Sequence, residues 1–126
     1  MADQPQSIRL DQGGTPPSAD LPIVRQELLT SEGSRAESVH TAPGTASPWH
    51  HHGDYDTYIY GVDGQIRVEY GPGGKQAVEV TSDSMGFVPK HVVHREVTSG
   101  EHGGHVFLVR VGTGQPVFNV EGPDPE

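Results

Sequence analysis

The sequence predicts an all-β protein, built as an antiparallel β-sandwich or barrel. Two features of its 126 residues support this prediction. Glycine and proline are abundant, with 17 and 11 residues, whereas runs of strong helix formers are missing. About ten short β-forming segments also follow one another at regular spacing, each bounded by a turn signal. Because the sequence contains no internal repeat, we expect a single copy of the barrel.

Groups of glycine, proline and aspartate separate the predicted strands. Ala42-Pro43-Gly44, Val62-Asp63-Gly64 and Gly71-Pro72-Gly73-Gly74 are strong turn formers. Asp63-Gly64 is followed by the alternating residues QIRVEY, which predicts a hairpin. In chain order, the predicted strands are LPIVRQELL, RAESVHTA, SPWHHH, DTYIYGV, QIRVEYG, QAVEVT, GFVP, VVHREV, GHVFLVRV and PVFNV.

The chain has the length of one domain with a single core. Residues 1–20 are polar and rich in Gln, Gly, Pro and Ser, so we expect a flexible N-terminal arm. The predicted barrel spans residues 21–121. Residues 122–126 are predicted to form a C-terminal tail.

Charge and composition exclude several classes of function. The net charge is −9 with only eight Lys and Arg residues, which argues against binding to nucleic acid or to an anionic membrane. The absence of cysteine excludes disulfides and thiolate ligands, so a bound metal would need nitrogen and oxygen ligands. No apolar run has the length of a membrane span, and the first residues do not resemble a signal peptide. We therefore expect a cytoplasmic protein.

Three consecutive histidines in the stretch PWHHHGDYDT suggest a metal site. In an extended strand, side chains alternate between faces, so His50 and His52 share one face and His51 points to the other. On a second predicted strand, His94 and Glu96 likewise share a face. A third imidazole could therefore reach the same point as the first two. A solvated rim of histidines is the alternative interpretation.

These residues resemble the two sequence motifs of the cupin superfamily, in particular its small single-domain members. The first motif is similar to Gly44, His50, His52 and Gly64, and the second to the segment from Pro89 to His94. The resemblance covers about residues 35 to 111. It implies a jelly-roll β-barrel that binds a metal through histidine ligands.

Two departures from the family pattern concern the fourth ligand and the second motif. The spacing places the family's acidic ligand at Thr57, and the adjacent Asp56 would face the other way in a regular strand. Ser82-Asp83-Ser84 replaces the frequent Pro-Gly-Asp, and His91 replaces a glycine. A member that has lost its metal is the alternative that these departures leave open.

The resemblance implies a ligand set and a pocket. His50, His52 and His94 would hold one divalent transition metal, for which Fe, Mn, Ni, Cu and Zn are all suitable. We expect Glu96 to orient a ligand or to act as a catalytic base, with a surface salt bridge as the alternative. Further candidates are Thr57, Asp56 and His40 as a fourth ligand or pocket residue, and Tyr58, Tyr60, Phe87 and Phe107 as pocket or core residues.

The resemblance also implies a small-molecule enzyme. A metal-dependent oxidoreductase, in particular a dioxygenase-like oxygenase acting on an enolisable or aromatic substrate, is the first expectation. A non-redox cyclase, isomerase or dehydratase of the polyketide type is the second. Binding of a small ligand without catalysis is the third. Because family members often pair through their outer strands, we expect a homodimer.

Overall fold

The computed structural model describes residues 4–9, 16–98 and 101–123. Within these ranges the regular structure consists of eleven β-strands and one short 3-10 helix, Pro72–Gly74. The strands are β1 (Ile23–Ser31), β2 (Ser34–Thr41), β3 (Thr45–Ala46), β4 (His50–His51), β5 (Asp56–Asp63), β6 (Gln65–Tyr70), β7 (Gln76–Thr81), β8 (Met85–Val88), β9 (His94–Thr98), β10 (Gly104–Val111) and β11 (Phe118–Asn119). None of the described residues belongs to a helix with the length and hydropathy of a bilayer crossing.

The strands form two antiparallel sheets. The first sheet has the order β1-β2-β10-β5-β8, and the second has the order β11-β4-β9-β6-β7, with β3 also paired to β9. Strands that are distant in the sequence are therefore neighbours, as in a jelly roll. The prediction of an all-β, antiparallel jelly-roll barrel is confirmed.

The hydrophobic core lies between the two sheets. It contains apolar side chains from both of them, since the alternation along each strand turns every second residue inward. The buried cluster consists of Val39, Ile59, Val88, Val106 and Leu108 from the first sheet and Ile66, Val68 and Val80 from the second. Polar residues occupy inward positions beyond this cluster, and these form the candidate site described below.

The predicted strands agree closely with the observed ones. Strands β7 and β10 have the predicted bounds. The largest difference is the segment SPWHHH, in which only His50–His51 pairs as a strand. Pro48 has no backbone N–H and so cannot donate a ladder hydrogen bond, which explains why this strand is short. Parts of the predicted arm and tail, at residues 1–3, 10–15 and 124–126, lie outside the described residues.

Two residues that replace family glycines keep a left-handed backbone. Asp83 has φ 62° and His91 has φ 65°, a region that L-residues rarely adopt. Each side chain has a local partner. Asp83 Oδ1 accepts a hydrogen bond from the Tyr60 hydroxyl at 2.7 Å, and His91 Nε2 lies 2.9 Å from Asp54 Oδ1. The second motif therefore keeps its turn geometry without the glycines.

The two glycines of the first motif allow a matched test of steric demand. Gly44 and Gly64 have nearly the same φ, 72° and 73°, but a Cβ on Gly64 would lie 2.0 Å from Gly103 O, whereas a Cβ on Gly44 would meet nothing within 4 Å. We expect Gly44→Ala to lower the free energy of unfolding by about 1 kcal/mol, from backbone strain alone. Gly64→Ala should cost about 3 kcal/mol or more, because a clash with backbone is added. Urea unfolding of both variants measures this, and equal losses would contradict the steric argument.

Candidate metal centre

The three histidines of the two motifs converge inside the barrel. His50 on β4 and His94 on β9 are directly opposite each other in the register of the second sheet, and His52 follows at the end of β4. One ring nitrogen from each lies within 4.8 Å of those from the other two. All three side chains are buried, with exposures of 4%, 4% and 1%. Histidine clusters of this kind are compatible with a bound metal ion.

A backbone carbonyl fixes the orientation of each imidazole. The Nδ1 atoms of His50, His52 and His94 donate hydrogen bonds to the carbonyl oxygens of Pro48 at 2.7 Å, Pro116 at 2.9 Å and Val92 at 2.9 Å. A carbonyl oxygen only accepts, so each Nδ1 carries a proton. The three Nε2 atoms, when the rings are neutral, then hold lone pairs. Metal-binding histidines are typically held in this way.

A carboxylate completes the cluster. Glu96 Oε2 lies 3.0 Å from His94 Nε2 and 3.5 Å from His50 Nε2. This oxygen is buried and has no hydrogen-bond partner of acceptable geometry among the described residues. With neutral rings, Glu96 Oε2 and the Nε2 atoms of His94 and His50 are therefore acceptor atoms that face one another, which is unfavourable unless a proton or a cation lies between them. The residues present therefore fit the metal ion that the cupin resemblance implies.

The electrostatics of the site favour the charge states that a cation requires at His52 and Glu96, whereas Glu96 favours a proton on His50. Burial and the positive charge of Arg110 lower the pKa of His52 to about 3. Burial would raise the pKa of Glu96, but the close contacts with His50 and His94 and their charge lower it below its usual value. Burial likewise opposes the protonation of His50, although Glu96 raises its pKa above the usual value. His52 is therefore neutral and Glu96 ionised at neutral pH.

The histidine between the two cluster members faces away from the site, as strand alternation predicts. His51 is half-buried, and its ring stacks on Phe118 with a centroid distance of 4.9 Å. Its Nδ1 accepts a hydrogen bond from the backbone N–H of Gly53 at 3.0 Å. His51 therefore contributes to the packing of the β4–β11 edge and not to the cluster.

The other predicted ligands lie in three different environments. Thr57 points into the barrel and is buried, and its Oγ1 has no hydrogen-bond partner among the described residues. Asp56 faces the other way, and its Oδ1 accepts a hydrogen bond from the backbone N–H of Lys90 at 2.9 Å. His40 stacks on His105 at 3.7 Å on the outer face of β2 and β10, outside the three-histidine group.

An apolar cavity of about 260 Å³ leads to the cluster between the edges of the two sheets. His94 lies on its wall, as does Tyr70, which is directly opposite His94 across β6 and β9. Phe87 lines the same cavity, as the sequence suggested for this residue. The full lining consists of Val68, Tyr70, Val78, Phe87, Val88, Pro89, Val92 and His94.

Three aromatic residues predicted for the pocket lie on the outer face of the first sheet. Tyr58 and Tyr60 are 44% and 37% exposed, because the alternation along β5 turns Thr57 and Ile59 inward instead. Phe107 is half-buried and contacts His105 edge to face. None of the three lines the cavity.

An ionic group inside the barrel was missed by sequence reasoning. Arg110 Nη1 lies 2.9 Å from Glu37 Oε2, and Arg25 Nη1 lies 3.5 Å from Glu37 Oε1. The Arg110 side chain is only 4% exposed. Alternation along GHVFLVRV places Arg110 on the same face as Val106 and Leu108, which is the signal that could have revealed it. Similarly, QIRVEY places Tyr70 on the face of the core residues.

Comparisons with known proteins show similarity in fold and not in sequence. No protein-family model matches the sequence, and no curated protein matches it. Many solved structures do match the fold.

Three of these structures illustrate the range of proteins that share the fold. An oxalate oxidase in complex with the substrate analogue glycolate is 17% identical, with a TM-score of 0.73, and the match covers 91% of this chain and 63% of that one. The polyketide cyclase RemF from Streptomyces resistomycificus is 21% identical, with a TM-score of 0.68 and coverages of 83% and 75%. The cupin domain of Cnp3 from Schizosaccharomyces pombe is 14% identical, with a TM-score of 0.66 and coverages of 72% and 65%.

These matches confirm the cupin fold that the two motifs predicted. At such low identity they carry no information on the reaction, since one fold hosts many chemistries. The neighbours themselves include an oxidase and a cyclase. The function of this chain therefore depends on the chemistry of its own site.

Proposed function

We propose that this chain is a metal-dependent oxygenase of cupin type that acts on a small enolisable or aromatic compound. The observation that supports this most strongly is the convergence of three oriented imidazole nitrogens beside an apolar cavity. His50, His52 and His94 would hold the ion. When bound, a redox-active divalent ion at such a site supplies Lewis acidity toward a substrate oxygen and the electron transfer that dioxygen chemistry requires.

The cavity walls support a small and largely apolar substrate. The volume of about 260 Å³ lies just below the range of typical ligand pockets. Aliphatic side chains and the rings of Tyr70 and Phe87 form most of the wall, so they would pack against an aromatic or diketone skeleton and exclude water. The polar end of the substrate would then face His94. An enolate or catecholate oxygen fits this arrangement, because it brings negative charge toward the ion.

Elemental analysis combined with oxygen uptake tests the proposal. Protein purified without chelator is expected to contain iron, copper, nickel or manganese in near-stoichiometric amount. Addition of small 1,3-diketones or catechols should then give substrate-dependent oxygen consumption, which a His94→Ala variant should lack. Metal-loaded protein that consumes no oxygen with any member of this panel would contradict the oxygenase assignment.

A non-redox cyclase, isomerase or dehydratase is the second candidate. The contact of 3.0 Å between Glu96 Oε2 and His94 Nε2 favours it, because a carboxylate and an imidazole at this distance can pass a proton to and from a substrate. Conversion of an enolisable substrate without oxygen uptake, by zinc-loaded or metal-free protein, would support this candidate. Ligand binding without any conversion would instead support a binding function.

We also propose a homodimer formed through the outer face of the first sheet. Exposed patches of this kind often mark protein interaction sites. The exposed apolar side chains of this face include Tyr58, Tyr60, Met85, Phe87, Val109 and Val111, together with Leu29 at the β1 edge. A cytoplasmic location likewise stays a prediction of the sequence.

Light scattering of the purified protein tests the dimer. We expect the mass of two chains for the wild type and of one chain for Val109→Glu, which places a charge at the centre of this face. Val120→Glu is the matched control, since Val120 is similarly exposed but follows β11 on the other sheet. A monomeric wild-type protein would contradict the proposal.

A further inference from the structure

The backbone of Glu96 forms two hydrogen bonds with Ser47. Its backbone N–H donates a hydrogen bond to Ser47 Oγ at 3.0 Å, and its carbonyl accepts one from the Ser47 N–H at 2.9 Å. Both bonds fix this part of β9 against the segment that leads into β4. The main chain of Glu96 is thereby held in place, and its carboxylate lies beside the Nε2 atoms of His94 and His50.

The distances from Glu96 to two of the three histidines are close to those between ligands of one ion. Two donor atoms bound to the same ion at about 2.1 Å, with an angle of about 90 to 110° between them, lie about 3.0 to 3.4 Å apart. Glu96 Oε2 lies 3.0 Å from His94 Nε2 and 3.5 Å from His50 Nε2. The same oxygen is buried and lacks a hydrogen-bond partner of acceptable geometry among the described residues.

Thr57 stands where the cupin resemblance places an acidic ligand. Its side chain is buried on β5 of the first sheet, and a hydroxyl is a far weaker ligand than a carboxylate. The chain therefore has a threonine at the family's carboxylate position on one sheet and an inward carboxylate on the other sheet. A carboxylate from either sheet could bind an ion at the centre of the barrel.

We propose that Glu96 is the fourth protein ligand of the metal, together with His50, His52 and His94. The carboxylate that the family pattern places on β5 is in this chain supplied by β9. This inference rests on the metal binding in the proposed function, but not on the reaction. It replaces the sequence-based expectation that Glu96 acts as a catalytic base in the metal-bound protein.

A carboxylate ligand changes the charge of the loaded site. Three neutral histidines would leave both positive charges of a divalent ion uncompensated, whereas Glu96 neutralises one of them. The remaining charge is balanced by a single monoanionic oxygen group of a substrate. The site is therefore expected to prefer a monoanion, such as an enolate, over a dianion.

Calorimetric titration of chelator-treated protein with Zn²⁺ tests the ligand role without an activity assay. Glu96→Gln and Glu96→Ala should weaken Zn²⁺ binding by more than about 100-fold, above the 10 to 100-fold typical for the loss of a group that only supports a ligand. Added formate should partly restore binding to Glu96→Ala, because it can take the vacated place. The visible absorption of bound Co²⁺ should also change in both variants, since it depends on the number and type of ligands.

Glu69→Gln is the matched control. Glu69 is a poorly exposed carboxylate on the neighbouring strand β6, paired with Arg95 and Arg67 instead of with the cluster. Its loss should leave Zn²⁺ affinity unchanged. Wild-type-like Zn²⁺ affinity and Co²⁺ absorption in folded Glu96→Gln, with circular dichroism as the check, would overturn the ligand role and leave the three-histidine site intact. A wild-type protein that binds no Zn²⁺ would overturn this inference together with the metal in the proposed function.

Discussion

His94→Ala is expected to lower the affinity for a divalent metal by more than about 100-fold. His94 is 1% exposed, and its ring is oriented by the carbonyl of Val92 at 2.9 Å. It also joins the cluster to the apolar cavity, since it lies on the wall of that cavity. Removing it takes away one imidazole ligand and opens the inner end of the cavity to water. His50→Ala and His52→Ala should cause losses of the same order.

His51→Ala is the matched control for this prediction, because it removes a neighbouring imidazole that faces the other side of β4. We expect wild-type metal content and only a small loss of stability, from the lost stacking on Phe118. Elemental analysis of all four variants, with circular dichroism to check the fold, measures the effect. Equal metal losses in all four would show that strand alternation does not select the ligands.

The sequence was informative about the strands and the histidine cluster, because both follow from local patterns. Turn residues bound each strand, and the period of two along a strand places His50 and His52 on one face. The addition of His94 needed the second motif as well. The alternation along β9 also predicted that Glu96 shares the face of His94, as it does in the structure.

The contacts of Glu96 could not be predicted in the same way. They depend on the pairing of β4 with β9, where His50 lies opposite His94, and these strands are more than forty residues apart in the sequence. Register between distant strands is set by the whole barrel and not by either segment. The sequence therefore indicated a carboxylate near the cluster but not its distance from each imidazole.

The aromatic residues show that residue type alone did not predict which side chains line the pocket. Tyr58 and Tyr60 were considered for the pocket because large aromatic rings are usually buried. Alternation from Thr57 along β5 turns both rings outward. Tyr70, on the inward face of β6, contributes a ring to the cavity instead. Strand alternation therefore predicts the positions of these three tyrosines better than residue type does. Phe87 reaches the cavity from the edge strand β8.

Replacement of Arg110 by Met is expected to lower the free energy of unfolding by about 3 to 5 kcal/mol. The Arg110 guanidinium is almost completely buried and lies 2.9 Å from Glu37 Oε2. Without Arg110, the Glu37 carboxylate would stay inside the barrel with only Arg25 as partner, at 3.5 Å and with a side chain that is 43% exposed. A buried charge without adequate compensation is costly, because the interior does not replace its hydration.

The double variant Glu37→Met with Arg110→Met distinguishes the net stability contributed by the ion pair from the cost of leaving one buried charge without its partner. Removal of both charges leaves no buried carboxylate to compensate, and side chains of similar size keep the core filled. We therefore expect the double variant to recover most of the stability that Arg110→Met loses, since buried ion pairs contribute little net stability. Urea unfolding of the metal-free wild type, both single variants and the double variant gives the coupling energy. If the double variant is as unstable as the sum of the single variants, the two charges do not act as a pair. Recovery in the double variant would instead show that the Glu37–Arg110 pair adds little net stability, although burial and the positive charge of Arg110 together lower the pKa of His52 to about 3.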